Sequence, residues 1–327
     1  VKALTDTLAF LLRFGAFLIA AAAALAVLAA HGGRFSDRLD ILTHFAPMWM
    51  ALGLIGLLLW ALAGGRQIIA LTPLAAAIAV LGAGALIMPE LSRTRGPKAP
   101  AEGETLKLIQ FNLWAQNRDP QAAAEWIIGQ DPDIITFEEG FAVTGGVARL
   151  LAERYPYRIT CADPSPCSTM ILSKRKPVFR TGLSTAVSNS HLSAALAKFE
   201  TAGGPFSVIA IHYTWPIPAG PQQQQGLRLL KVLDTLDRDS AIVAGDFNST
   251  PWSFSLRRQD KAFGMLRRTH GEATWPVQAI GDTGFAPPFP LLPIDQVYAG
   301  KQWKTVSVER GPNLGSDHLP VVVVLRR

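Results

Sequence analysis

Apolar residues are unevenly spread along this chain. Three long runs, Leu8 to Ala30, Phe45 to Ala63 and Ile68 to Met88, take up most of the first ninety positions and carry almost no charge. Each approaches the ~20 residues that an α-helix needs to cross the hydrocarbon core of a bilayer. The pattern predicts three transmembrane helices. A cleaved signal peptide accounts for the first run alone, because its apolar core spans about 7–15 residues and two further spans do not follow it. Trp49 and Trp60 fall near opposite ends of the second run, where interfacial aromatics belong, and Arg13 lies within snorkelling reach of the headgroups.

From Glu90 to Gly103 the periodicity disappears into Arg, Lys, Pro, Gly and Ala, the composition of a linker. Beyond it, short β-rich runs alternate with helical patterns. Leu106 to Leu113, Asp133 to Phe137, Phe206 to His212, Ala241 to Ala244 and Val321 to Leu325 read as buried strands; Gln121 to Ile128 and Gln222 to Leu236 read as amphipathic helices. The expected organisation is a membrane anchor over residues 1–89, a linker over 90–103 and an α/β domain over 104–327.

Composition sharpens this division. Of 327 residues, 49% are hydrophobic and only 17% charged, an apolar excess that the first ninety positions absorb. From Glu104 onward there are 23 basic and 20 acidic residues, a net +3. A dedicated nucleic-acid binder shows a basic stripe instead, and short groups such as Lys174-Arg175-Lys176 and Arg267-Arg268 fit a solvated surface. The only cysteines, Cys161 and Cys167, are close enough for a small disulfide loop, and their spacing fits two free thiols as well.

The residues that bear chemistry gather where the apolar strands stop. Asn112 follows Ile109-Gln110-Phe111; Glu138 and Glu139 follow Ile134-Ile135-Thr136-Phe137; His212 follows Val208 to Ile211; Asp246 and Asn248 follow Ile242-Val243-Ala244-Gly245. Asp295 opens Asp295-Gln296-Val297, and Asp317-His318 precedes Pro320 and a valine strand. One such cluster is an ordinary turn. Six of them, all built from carboxylate, amide and imidazole, are not.

In order, these clusters resemble the motifs of the endonuclease/exonuclease/phosphatase superfamily, which includes deoxyribonuclease I, exonuclease III, bacterial sphingomyelinases and inositol-polyphosphate 5-phosphatases. The strongest elements are Gly245-Asp246-Phe247-Asn248-Ser249-Thr250-Pro251 and Gly315-Ser316-Asp317-His318-Leu319-Pro320. The resemblance implies a four-layer α/β sandwich with its site at one end of two central sheets. It implies Mg²⁺ or Mn²⁺ held by Glu139, Asn112 and Asp317, His318 as general base supported by Asp295, Asp246 and Asn248 positioning water and phosphate, and His212 donating to a phosphoryl oxygen or the leaving group. The family often has Gln before the metal Glu; here Glu138 stands, and it ranks below Glu139 as a ligand. Abasic-site enzymes of the exonuclease III type carry Tyr where this chain has His212, which argues against that branch.

Three predicted membrane helices ahead of such a domain resemble the membrane-bound bacterial branch that includes teicoplanin-resistance proteins, implicated as phosphatases of cell-wall lipid carriers. The implied activity is hydrolysis of a phosphate ester or pyrophosphate on a lipid or membrane-proximal substrate, with Trp215, Trp252, Trp275, Phe285 and Phe289 available for a lipid-facing rim or for the core. An anchored nuclease acting outside the membrane is the alternative, and an inactive binding protein a third. The expected orientation puts the catalytic domain outside the cytoplasm. Arg93, Arg95 and Lys98 count against it; around the first helix Lys2 and Arg13 balance Arg34 and Arg38, with Arg66 on the inner side.

Overall fold

The computed structural model describes residues 2–64, 71–94, 96–140, 145–162, 165–184, 192–217, 219–281, 284 and 286–327; Arg66, Arg95 and Phe285, named above, lie outside them. The chain divides into two compact units, Val1–Arg93 with Pro251–Arg257, and Thr94–Thr250 with Arg258–Arg327.

The first unit is helical: α1 (Lys2–His31), the short α2 (Asp37–Asp40), α3 (Ala46–Leu62) and α4 (Leu71–Leu91). Three segments, Leu4–Arg34, Asp37–Leu62 and Leu71–Leu91, are long and apolar enough to cross a membrane. Their packing inverts the rule for water-soluble helices. Small residues lie inside, with Ala16, Ala20, Ala23, Ala30, Ala76, Ala79 and Ala83 fully buried, while Leu8, Leu18, Leu25, Leu58, Leu74 and Leu81 point outward. Small contact residues let helix backbones approach closely where the surrounding medium is itself apolar. At Gly56 the approach is extreme, since a Cβ there would lie 2.9 Å from the carbonyl oxygen of Ala16. Arg13 donates to the carbonyl of Ala63 at 2.8 Å. Trp252 belongs to this unit and is core rather than rim: it packs with Val27, Ala30, Ala46, Ala83 and Leu86, and its indole N–H donates to the carbonyl of His44. Asp40 accepts from the backbone N–H groups of Phe254 and Ser255 at 2.8 and 2.7 Å.

The second unit holds two six-stranded mixed sheets, which is the sandwich the motifs imply. Its strands are β1 (Thr105–Asn112), β2 (Ile134–Glu138), β3 (Tyr157–Ala162), β4 (Ser165–Ser173), β5 (Phe179–Gly182), β6 (Ser193–Thr201), β7 (Gly204–His212), β8 (Ile242–Asp246), β9 (Leu266–Arg267), β10 (Asp295–Ala299), β11 (Lys304–Arg310) and β12 (Val321–Arg326). The orders are β11-β12-β1-β2-β4-β3 and β5-β6-β7-β8-β10-β9. Leu106, Leu108, Ile134, Val208, Ala210, Ile242, Ala244, Val297, Val321 and Val323 form one core between the sheets. The intervening residues Ile109, Phe111, Ile135, Phe137 and Val322 face α5 (Pro120–Gln130) and α6 (Gly145–Leu150) on the outer side of the first sheet. On the second sheet Phe263, from the end of α8 (Phe254–Phe263), meets Tyr298 edge-on. Helix α7 (Ala219–Leu233) directs Gln222 to the carbonyls of Thr214 and Phe247.

Period two explains how a hydrophobic core becomes a polar site. Continuing each inward series by one or two steps gives Gln110 and Asn112 on β1, Thr136 and Glu138 on β2, His212 on β7, Asp246 on β8 and Asp295 on β10. Strands β1 and β2 run parallel, as do β7 and β8, while β10 and β12 run opposite to β8 and β1. The C-terminal ends of the former and the N-terminal ends of the latter therefore share one edge. Elsewhere, a disulfide joins Cys161 on β3 to Cys167 on β4, with Cα atoms 5.4 Å apart.

Candidate active site

His318 precedes β12, and Asp295 begins β10. They meet with Nδ1 2.8 Å from Oδ2, and both are buried. Thr274 also donates to Oδ2, and Gln110 Nε2 donates to Oδ1 at 2.7 Å. Asp295 is thus closed on both oxygens. The other imidazole nitrogen of His318 points across the site, with Nε2 3.8 Å from Asp246 Oδ2 and 4.0 Å from Asp317 Oδ1. Burial alone would lower the pKa of His318, but Asp295, by charge and hydrogen bond, together with Asp246 and Asp317 carries it up to about 10.

Asp246 stands at the centre. Its Oδ1 accepts from the backbone of Asn248 at 2.8 Å, and its Oδ2 accepts from Asn112 Nδ2 at 3.0 Å. His212 Nε2 is 3.7 Å from the same Oδ2 and 4.0 Å from Glu139 Oε1. Burial, aggravated by Asp295, pushes the Asp246 carboxyl up to about 8 against the opposing pull of His318. Burial lowers His212 and raises Asp317. The strain at this edge is local. Glu139 and Asn248 have φ of 53° and 47°, a left-handed conformation that non-glycine residues seldom adopt. Gly245, with φ of 157°, runs so close to β7 that a Cβ would lie 1.9 Å from the carbonyl oxygen of Ile211.

The donor set suits a hard divalent cation. Asn112 Nδ2 lies 3.3 Å from Glu139 Oε1 as well as 3.0 Å from Asp246 Oδ2, so two carboxylates converge on one partly positive group. Asp317 Oδ1 is buried with no hydrogen-bond partner, while Oδ2 accepts from the Trp275 indole at 3.0 Å. Asp246, Asp295 and His318 present ligand atoms within 4.8 Å of one another, although the engaged oxygens of Asp295 leave the Asp246, Glu139 and Asp317 side better placed for an ion. Oxygen donors of this kind fit Mg²⁺ or Mn²⁺. Glu138 is directed inward: fully buried, it accepts from Gln110 at 2.8 Å, and burial next to Asp295 raises its carboxyl well above the ordinary range.

Residues 109–318 match the model of the Endonuclease/Exonuclease/phosphatase family. The chain belongs to this family. No curated protein matches it. Among solved structures it is similar to the beta toxin of Staphylococcus aureus, determined with bound magnesium ions, at 15% identity and a TM-score of 0.51, covering 67% of this chain and 99% of that one. It is similar to sphingomyelinase C from Streptomyces griseocarneus at 16% identity and 0.52, covering 68% and 99%. It is similar to the D. rerio TDP2 complex with a single-stranded DNA product at 13% identity and 0.53, covering 68% and 100%. At such identities these likenesses speak to fold. Family membership together with the buried Asp, Asp and His make this endonuclease/exonuclease/phosphatase chain a metal-dependent phosphoester hydrolase.

All eight residues singled out from sequence (Asn112, Glu139, His212, Asp246, Asn248, Asp295, Asp317 and His318) lie along this edge. Sequence reading passed over Gln110, Thr274 and the indole of Trp275 as partners of the site. Gln110 had a signal, as the polar member of an otherwise apolar inward series. Thr274 had none: it arrives from a loop.

Proposed function

We propose that this chain hydrolyses a phosphate ester or pyrophosphate carried by a lipid or another substrate at a membrane surface, with its catalytic domain outside the cytoplasm. The observation that carries the reading is the joining, in one chain, of a phosphoesterase domain to three membrane-length helices that turn leucines outward and alanines inward. Resemblance to the teicoplanin-resistance branch supports a lipid-carrier substrate. The Cys161–Cys167 disulfide supports an oxidising compartment. Apolar side chains beside the site support an amphiphilic substrate: Trp215 is 52% exposed and meets the less exposed Trp275, whose indole donates to Asp317, edge-on at 5.3 Å between centroids.

In this reading Glu139 and Asp317 would hold Mg²⁺ or Mn²⁺, joined by Asn112 once its amide turns to present Oδ1, which here accepts from the backbone N–H of Trp114 at 3.0 Å. When bound, the ion compensates charge on the phosphoryl oxygens and, by neutralising the surrounding carboxylates, brings His318 back towards a range where it can accept a proton. Asp295 fixes His318 so that Nε2 alone faces the reacting water, and Asp246 and Asn248 orient that water and the phosphate. His212, uncharged at neutral pH because of burial, donates a hydrogen bond to a phosphoryl oxygen or the leaving oxygen. A panel of isoprenoid pyrophosphates, phospholipids, inositol phosphates and plasmid DNA, each with Mg²⁺ or Mn²⁺, tests the substrate class. Preferential phosphate release from the lipids is expected; cleavage of DNA with the lipids untouched would install the nuclease alternative.

A further inference from the structure

Gln110 is buried one layer below the site, on the inward face that Leu106 and Leu108 make apolar. An amide in that layer is costly unless its polar atoms are met, and Oε1 is buried with no hydrogen-bond partner among the described residues. Both protons of Nε2 are met, and by two different carboxyl groups: Glu138 Oε2 at 2.8 Å and Asp295 Oδ1 at 2.7 Å. The two oxygens of Asp295 are thereby distinguished. Oδ2 faces His318 and Thr274, and among the described residues Gln110 is the one donor to Oδ1. Rotation of the Asp295 carboxylate about its Cβ–Cγ bond would break the Gln110 contact and the His318 contact together.

We propose that Gln110 is a positioning residue for catalysis, its amide locking the Asp295 carboxylate in the orientation that presents Oδ2 to His318 Nδ1. The role rests on the assignment of His318 and Asp295 as the base pair made above. Neither the ion nor the substrate need touch Gln110. Its loss therefore alters the rate of the chemical step and leaves substrate binding as it was.

A bland role exists for the same contacts, namely satisfying the buried Glu138, and the two roles separate in a pair of variants. Gln110→Met keeps the volume and removes both donors. Gln110→Met combined with Glu138→Met removes one of the two acceptors left unmet, so that Asp295 Oδ1 alone stays without its donor, and exchanging both partners of the Gln110–Glu138 hydrogen bond for apolar groups of similar shape is close to neutral for stability. The full-length protein in detergent is assayed with Mn²⁺ and a chromogenic aryl phosphate, with melting temperature followed in parallel. Gln110→Met is expected to lower kcat at least ~10-fold while KM stays within about twofold. The double variant is expected to recover part of the lost melting temperature without recovering kcat. Recovery of kcat together with stability overturns the proposal, as does wild-type kcat in Gln110→Met; should that single variant not fold, the double variant decides alone. Asp295→Asn is the control. Full kcat in Asp295→Asn fails the base assignment itself, whereas an impaired Asp295→Asn beside an unimpaired Gln110→Met overturns the positioning role only.

Discussion

The chemistry of this site is a problem of crowded charge. His318 and Asp246 keep protons that free side chains would release, with pKa values raised to about 10 and about 8. For His318 the stabilising contribution is complete below its ordinary value of 6.5 and is lost as pH rises through about 10. For Asp246, deprotonation of the unfolded chain near 3.8 favours unfolding, and that penalty grows until the folded group also ionises near 8. Both signs agree: the metal-free domain loses stability as pH rises. A divalent cation takes the place of the proton, so the gain in melting temperature from Mn²⁺ is expected to be larger at about pH 8.5 than at about pH 5.5. Equal gains at the two pH values, measured by differential scanning fluorimetry, would contradict the exchange. At the same scale, His318→Ala and Asp246→Ala are each expected to reduce turnover at least ~10²-fold with unchanged circular dichroism. The residues carrying that prediction were legible in the sequence because strand ends concentrate polar groups; Thr274 and Trp275 were not, because their approach depends on how a loop returns to Asp295 and Asp317.

Burial alone did not make an element legible: β10 is buried throughout but opens on Asp295-Gln296, and it was not among the strands expected from the sequence. β1, β2, β7, β8 and β12 announce themselves as predominantly apolar runs, and the observed strands match those expectations within about three residues at either end. β5 and β11 sit at the sheet edges, with Phe179–Gly182 and Lys304–Arg310 exposed or half-buried throughout, so their sequences lack a hydrophobic signature. β9 spans two residues. Pairings such as β1 with β12, which join the two ends of the domain, cannot be read from local pattern at all. Gly245 is the element-scale feature with a sharp consequence. Gly245→Ala would force β7 and β8 apart beside His212 and Asp246, and a melting temperature lower by at least about 5 °C is expected, together with loss of activity. Gly129→Ala, in α5 with nothing within 4 Å of the added Cβ, is the contrast and is expected to leave both unchanged or slightly raise stability. Similar melting temperatures for the two variants would contradict this account of the β7–β8 contact.

At the scale of the whole chain, the proposed function makes the helical unit the hydrolase's address. Three apolar helices with their bulky residues outward would leave a large exposed patch in water, which a bilayer would cover. Orientation is tested with fusions after Arg327: alkaline phosphatase is expected to be active and a cytoplasm-dependent fluorescent protein dark, and the opposite pattern would move the substrate to the cytoplasmic leaflet. The central claim is that the metal-dependent site acts on phosphate held in a membrane. Its most direct measurement places the full-length protein in vesicles containing an isoprenoid pyrophosphate and follows phosphate release with Mg²⁺, with EDTA, and in His318→Ala. The account predicts release that EDTA abolishes and that His318→Ala lowers at least ~10²-fold. Release that persists without metal or without the imidazole, or its absence from the lipid while plasmid DNA is cut under the same conditions, would contradict it.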